Sequence, residues 1–154
     1  MDCGFLEDWV NPDNLPRGVG IDLVSVSQLR LLDERIGGAF CKCTFSEREQ
    51  QEAAASSDPW VYYAGRFAAK EAVFKAIAHL LPAESFDFRL VQTLHRTDGS
   101  PYIVLEGAIR TILENANVSS LLISITNEGD FAAAIVQAAV EKNIRKTAVT
   151  KNSS

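Results

Sequence analysis

Hydrophobic and polar positions alternate where the chain first becomes regular. Val19, Ile21 and Leu23 fall on every second position, with glycine or more polar residues between them. This period of two predicts a strand over residues 19–24. Residues 1–16 contain two prolines and little periodicity, and we expect them to form an N-terminal arm outside the domain.

Two helix-capping patterns predict where the next two helices begin. Ser25 precedes Gln28, and Ser46 precedes Glu49, by the three-residue spacing of a capping box. A pair of glycines is predicted to end the first helix. The second helix is polar, and we expect it to end near Ser56.

The longest predicted helix spans residues 60–80. Asp58 supplies an N-cap, Pro59 is suited to the first helical turn, and Pro82 marks the end. Beyond it, residues 86–94 and 102–105 are predicted to pair as a hairpin, because a Gly-containing turn separates them.

A second hairpin is predicted near the end of the chain. Its strands are residues 119–126 and Phe131–Val140, and a helix over Gly107–Asn115 precedes them. Antiparallel hairpins with helices grouped between them indicate an α+β domain. We expect this domain to cover residues 17–141, with a polar tail over residues 142–154.

Composition narrows the class of protein. The chain has 154 residues, a formal net charge of −5 and three cysteines. The length suits one domain, and the negative charge argues against an obligate nucleic-acid binder. No apolar run approaches the roughly 20 residues that span a bilayer, which predicts no membrane insertion. The odd cysteine count predicts unpaired thiols and a cytoplasmic protein.

One face of the long helix carries most of its large apolar side chains, and Glu71 lies near the middle of that face. The apolar positions are Trp60, Tyr63, Ala64, Phe67, Phe74, Ala78 and Leu81. The opposite face is also apolar or small, so the helix is expected to be buried and Glu71 to need a cationic partner. Arg66, Lys70 and Lys75 are the candidates, and Lys75 follows Glu71 at i+4. A salt bridge that only organises the helix is an equally simple interpretation.

Asp22 adds a second carboxylate near the end of the first predicted strand. Two carboxylates from separate elements, accompanied by Arg and Lys, are suited to holding Mg²⁺ on a phosphate ester, because Mg²⁺ takes one or two protein carboxylates together with phosphate oxygens. Asp22 is also suited to capping the first helix. His79 and His95 are isolated and lack metal-ligand spacing, so surface or core roles are expected for them.

Five segments, in this order along the chain, resemble motifs of the holo-acyl-carrier-protein synthases. Most specific is Ala64-Gly65-Arg66-Phe67-Ala68-Ala69-Lys70-Glu71-Ala72 with Lys75-Ala76, which is similar to the signature of the family's central helix. The others are Gly20-Ile21-Asp22-Leu23-Val24, Phe45-Ser46-Glu47-Arg48-Glu49, Gly99-Ser100-Pro101-Tyr102 and Leu122-Ile123-Ser124-Ile125-Thr126.

The resemblance implies an antiparallel sheet packed on a long central helix, and a homotrimer with active sites between subunits. It implies Mg²⁺-dependent transfer of 4′-phosphopantetheine from coenzyme A to a serine of apo-acyl carrier protein. Asp22 and Glu71 match the metal-binding and catalytic carboxylates, and Lys75 is a third catalytic candidate. Basic positions around the coenzyme A phosphates match Arg66, Lys70 and Lys75.

Several positions depart from the family pattern. Asn127 stands where the penultimate strand usually ends in a histidine that contacts the nucleotide. Gln28 and Asp58 replace residues that are commonly basic, and residues 77–81 replace a glycine-rich turn. These changes remove positive charge, so we expect weakened coenzyme A binding. The alternative is a non-catalytic trimeric relative that acts as a binding or assembly subunit.

Overall fold

The computed structural model describes residues 18–82 and 86–140. Five strands and five helices lie in these ranges, in the order β1 (Gly18–Ser25), α1 (Val26–Arg35), α2 (Ala39–Thr44), α3 (Glu47–Ala55), α4 (Pro59–Ile77), β2 (Val91–His95), β3 (Pro101–Leu105), α5 (Gly107–Asn115), β4 (Val118–Glu128) and β5 (Phe131–Val140). The arm and tail predicted over residues 1–16 and 142–154 lie outside the described residues.

The strands form two antiparallel sheets. The larger has the order β1-β5-β4, and the smaller is the hairpin of β2 and β3. In the larger sheet, Asp22 pairs with Ala134, which pairs with Ile125 on the other side. The expected α+β class with antiparallel strands is confirmed.

The larger sheet buries one face against α4. Glycine and alanine dominate this inner face, and Gly18 shows why: a Cβ there would lie 1.8 Å from the carbonyl oxygen of Ala76. The small residues of α4 face the same contact, including Ala69, Ala72 and Ala76, all fully buried. These small residues pack inside the chain, so they do not provide a contact surface for another subunit.

The opposite face of the larger sheet is exposed and largely apolar. We call it the outer face, and its large apolar side chains are Val19, Ile21, Leu23, Leu122, Phe131 and Ile135. Ile21 and Leu23 each retain 64% of their exposure. A contiguous apolar patch of this kind is typical of an interaction surface.

The predicted caps are present. Ser25 accepts from the backbone N–H of Gln28, Ser46 and Glu49 form a reciprocal capping box, and Asp58 accepts from two N–H groups in the first turn of α4. These bonds satisfy N–H groups that have no partner within the helix.

One helix and two element boundaries differ from the sequence prediction. Helix α2 was not predicted, because its six residues are too short to show periodicity. Helix α4 ends at Ile77 and continues as a 3₁₀ turn over Ala78–Leu80. Strand β2 begins only at Val91, because Asp87 caps a 3₁₀ turn over Phe88–Leu90.

Two further expectations concern the cysteines and membrane insertion. Cys41 and Cys43 are free thiols, and Cys3 lies outside the described residues. Among the helices that the structure describes, none combines the length and the apolar character needed to cross a bilayer.

Candidate functional site

Asp22 and Glu71 line one cavity, although 49 positions separate them in the sequence. The cavity has a volume of about 470 Å³ and lies between the end of β1, helix α1 and the middle of α4. Gln28 of α1 and Phe67 of α4 are among the other residues that line it. Ser25, not Asp22, caps α1, so the capping role considered for Asp22 is excluded.

Glu71 and Asp22 repel each other in this cavity. Partial burial is the main cause that raises the pKa of Glu71, and the charge of Asp22 raises it further. Lys75 acts in the opposite direction on this pKa. A half-buried carboxylate with a raised pKa is a common property of proton-transfer groups.

Lys75 pairs with Asp22 and not with Glu71. Its Nζ donates to Asp22 Oδ1 at 2.7 Å and to the carbonyl oxygen of Ile21 at 3.1 Å. The hydrogen bond to Asp22 is the main cause that raises the pKa of Lys75. Of the three candidate partners for Glu71, Lys75 thus forms its ion pair with Asp22, which lines the cavity together with Glu71.

The donor set suits a hard cation that brings further ligands with it. Asp22 and Glu71 offer carboxylate oxygens, which Mg²⁺ prefers. No group of three or more Asp, Glu, His or Cys side chains suited to a metal occurs among residues 18–82 and 86–140. Two carboxylates leave most of an octahedral shell to other oxygens, which fits Mg²⁺ bound together with a phosphate ester and does not fit a closed structural site.

A second cavity lies at the other edge of the larger sheet. It has a volume of about 190 Å³, and its polar wall consists of Tyr62, Arg66, His95 and Asn127. Glu71 follows Arg66 by five positions, which at 100° per residue places the two side chains about 140° apart around the helix. The two cavities therefore open on different sides of α4, and they share no lining residue.

Gly65 brings α4 close to β4 at this second cavity. A Cβ at Gly65 would lie 3.3 Å from a methyl carbon of Ile125 and 3.7 Å from Asn127 Oδ1. The short separation explains how the side chain of Asn127 reaches the wall beside Arg66. Arg66 and Asn127, both predicted to bind the donor, are thus brought together.

Lys70 does not face either cavity. Its side chain is fully buried, and Nζ donates to Glu49 Oε2 at 2.9 Å and to the carbonyl oxygens of Phe88 and Val91. All three ammonium protons are used, so the predicted contact between Lys70 and a coenzyme A phosphate is corrected to a core ion pair. Burial lowers the pKa of Lys70, and the charge of Glu49 opposes this shift.

Glu49 is a structural residue whose full role the sequence did not reveal. Besides its part in the capping box, its Oε1 accepts from the backbone N–H of Thr93 on β2 at 3.0 Å. It therefore joins α3, α4 and β2 at one buried carboxylate. The capping-box spacing identified the local bond, but nothing in the spacing pointed to Lys70 as its partner.

Comparison with known proteins agrees with these features. A sequence profile of the 4′-phosphopantetheinyl transferase superfamily matches residues 18–136. A holo-[acyl-carrier-protein] synthase of Desulforudis audaxviator is 34% identical over 117 residues, which cover 76% of this chain and 88% of the relative.

Solved structures show the same fold. The holo-[acyl-carrier-protein] synthase of Neisseria meningitidis matches with a TM-score of 0.72 and 30% identity, covering 80% of this chain and 98% of that chain. A synthase of Chronobacterium ammoniagenes, solved as a complex with coenzyme A, matches with a TM-score of 0.72 and 27% identity over 81% of this chain and 98% of that chain. The prediction of a transferase enzyme of this type is confirmed, and the chain belongs to the holo-[acyl-carrier-protein] synthase family of 4′-phosphopantetheinyl transferases.

Proposed function

We propose that this chain catalyses Mg²⁺-dependent transfer of 4′-phosphopantetheine from coenzyme A to a serine of an apo-acyl carrier protein. The observation that carries the proposal is the cavity shared by Asp22 and Glu71, with Lys75 bonded to Asp22. This arrangement provides two carboxylates and one cation, and the two carboxylates are those that the family resemblance matches to metal-binding positions. A relative solved with coenzyme A supports the choice of donor.

Asp22 and Glu71 are the residues that would hold Mg²⁺. When bound, the ion neutralises charge on the pyrophosphate of the donor. Lys75 can contribute a positive charge to phosphate binding, because its ammonium group lies beside Asp22 and its side chain is half exposed. It is placed to hold a phosphate oxygen that enters the cavity.

Glu71 is the proposed base for the serine proton. In the transfer, the serine oxygen forms a bond to the phosphorus next to pantetheine, and the bond from that phosphorus to the leaving adenosine 3′,5′-bisphosphate breaks. The leaving group takes the electron pair, and the carboxylate of Glu71 takes the serine proton. Burial raises the pKa of Glu71 in the metal-free chain, whereas bound Mg²⁺ would lower it, so the position of Glu71 in the cavity supports this role.

The second cavity is the proposed site for the nucleotide end of the donor. Arg66 supplies a positive charge and Asn127 an amide. At about 190 Å³, this cavity is smaller than the roughly 300–1,000 Å³ of pockets that enclose whole ligands. It is therefore suited to one end of coenzyme A only.

A homotrimer with sites between subunits is part of the proposal. The two cavities open on different sides of α4, so one donor molecule reaches both kinds of site most simply when they belong to neighbouring copies. The exposed outer face provides apolar surface for such contacts. We further propose a single transferase domain over residues 17–141 that acts in the cytoplasm, which the free thiols of Cys41 and Cys43 support.

The test is direct transfer in solution. The chain is incubated with coenzyme A, Mg²⁺ and an apo-acyl carrier protein, and mass spectrometry is used to detect phosphopantetheine on the carrier. We expect modification that stops when Mg²⁺ is chelated or when Asp22 is changed to Asn. A carrier whose target serine is replaced by alanine is the control. Coenzyme A binding without any transfer would contradict the proposal and favour the assembly-subunit alternative.

A further inference from the structure

His95 lies in the second cavity, opposite Arg66. Nη2 of Arg66 is 2.7 Å from Nε2 and 2.9 Å from Nδ1 of His95, so the guanidinium faces the ring edge that carries both nitrogens. The ring is partly exposed, with 43% of its side chain accessible. Sequence spacing does not connect these residues, because His95 ends β2 and Arg66 lies 29 positions earlier on α4.

Arg66 is a buried cation whose hydrogen-bonding groups are not all satisfied. Only 3% of the residue is exposed, and its guanidinium stacks on the ring of Tyr62 at 4.4 Å. Its Nε is buried and has no hydrogen-bond partner within residues 18–82 and 86–140. A buried donor of this kind costs free energy unless it is satisfied. The guanidinium of Arg66 therefore keeps donor capacity that the described residues do not use.

Glu52 orients the imidazole of His95. Its Oε2 lies 3.2 Å from Nδ1 of His95 and accepts from the hydroxyl of Tyr62 at 2.8 Å. We assign the ring proton to Nδ1 from this network, which leaves Nε2 to accept from Arg66. When an anion occupies the cavity, Arg66 can bond to the anion instead, and the ring donates from Nε2 once it has taken up a second proton from solvent.

We propose that His95 is a donor-binding residue that holds a phosphate monoester together with Arg66. The inference rests on the proposed function, because the 3′-phosphate of coenzyme A is the monoester that this donor offers. The small cavity suits such a group, since a phosphate accepts from both Arg66 and an imidazole within a volume of about 190 Å³. His95 at the end of β2 thus supplies the imidazole that is missing at Asn127. It offsets the loss of coenzyme A affinity that we expect from Asn127.

The first experiment measures affinity by calorimetry for coenzyme A, 3′-dephospho-coenzyme A and inorganic phosphate. We expect His95→Ala to weaken coenzyme A binding by about tenfold, the loss of one charge-assisted hydrogen bond, and to leave the dephospho form nearly unchanged. His79→Ala is the matched control, because His79 is exposed and lines neither cavity. Equal losses for both nucleotides, or no loss, would overturn the proposal.

A second experiment asks whether His95 replaces the missing ring. Asn127→His should add little to coenzyme A affinity in the natural chain but should restore most of the affinity in the His95→Ala background. An equal gain in coenzyme A affinity in both backgrounds would show that the two positions act independently. It would contradict the inference that His95 takes the place of the missing histidine.

The same titrations separate this inference from the proposed function. If coenzyme A is bound and transferred but His95→Ala changes nothing, only the role of His95 fails. If the natural chain binds inorganic phosphate in a His95-dependent way but binds no coenzyme A, the anion site stands and the proposed donor fails.

Discussion

Gly20 lies against the backbone of Ala72, so closely that a Cβ at Gly20 would be 1.9 Å from the carbonyl oxygen of Ala72. No side chain is small enough for this position, and the atom in the way belongs to the backbone of α4. The contact fixes the distance between β1 and α4. Because Asp22 follows two positions later on the same face of β1, it also fixes how closely Asp22 approaches α4.

Replacing Gly20 by alanine should therefore destabilise the protein strongly. We expect Gly20→Ala to lower the free energy of unfolding by about 3 kcal/mol, the upper end of the usual cost of overpacking, because the atom in the way belongs to the backbone. Urea unfolding followed by circular dichroism measures this change. Gly65→Ala is the matched comparison, because its Cβ would meet only side-chain atoms, the nearest a methyl at 3.3 Å, and alanine favours the helix. Equal costs for both variants would contradict the close packing of β1.

The buried pair of Glu49 and Lys70 should respond differently to single and double substitution. Glu49→Gln leaves the ammonium group of Lys70 buried without a carboxylate, which should cost about 3–5 kcal/mol. Adding Lys70→Met removes the uncompensated charge and should recover part of that loss. The exposed pair of Arg30 and Glu34 is the control, since Glu34→Gln should cost less than about 0.5 kcal/mol. Urea midpoints for all variants test this, and a mild effect of Glu49→Gln would contradict it.

Glu71 should lower stability while it supports catalysis. Its folded pKa is raised, so between the ordinary and the raised value the folded state holds more protons than the unfolded state, and stability falls as the pH rises through that window. At pH 7 the ionised carboxylate opposes folding. Glu71→Gln should raise the thermal midpoint at pH 7 and abolish transfer.

The gain from Glu71→Gln should disappear below about pH 4, where both states of the natural chain are protonated. Calorimetry over this pH range checks the sign of the effect. Glu114→Gln, in an exposed pair with Arg110, is the control and should show no such gain at pH 7. A thermal midpoint that is lowered by Glu71→Gln at pH 7, measured without Mg²⁺, would contradict the raised pKa of Glu71.

The outer face should be covered in solution if the proposed trimer forms. Ile21→Asp places a charge in the middle of this face and should convert trimers to monomers with loss of transfer. Leu31→Asp is the control, because Leu31 is also exposed but lies on α1. Sedimentation equilibrium at micromolar concentrations measures the mass. A natural chain that sediments as a monomer, or trimers of Ile21→Asp, would contradict the proposal.

Local patterns predicted most elements of this fold, since each depends on neighbours in sequence. The caps at Ser25, Ser46 and Asp58 and the hairpin formed by β4 and β5 are of this kind. Side-chain partners were predicted less well, because they depend on packing. Lys70 directly precedes Glu71 in the sequence, but on α4 its side chain points in another direction and is buried against Glu49.

The two cavities illustrate the same difference. The resemblance to the family pointed to Asp22 and Glu71, and the structure brings them together. His95 belongs to no motif, and only the pairing of β2 with β3 beside α4 brings it to Arg66. A residue that acts through a neighbour distant in sequence leaves no signal in spacing, so only the folded structure reveals it.

Tyr62 and Arg66 occupy successive turns of α4, and the stacking between them holds the guanidinium in place before any ligand arrives. The arginine side chain is therefore ordered when the helix folds, not when the donor binds. Binding then carries little entropic penalty at this residue, since a preorganised group has no rotamers left to lose. The nucleotide end of the donor should associate in a single kinetic step, without a slow rearrangement of the protein.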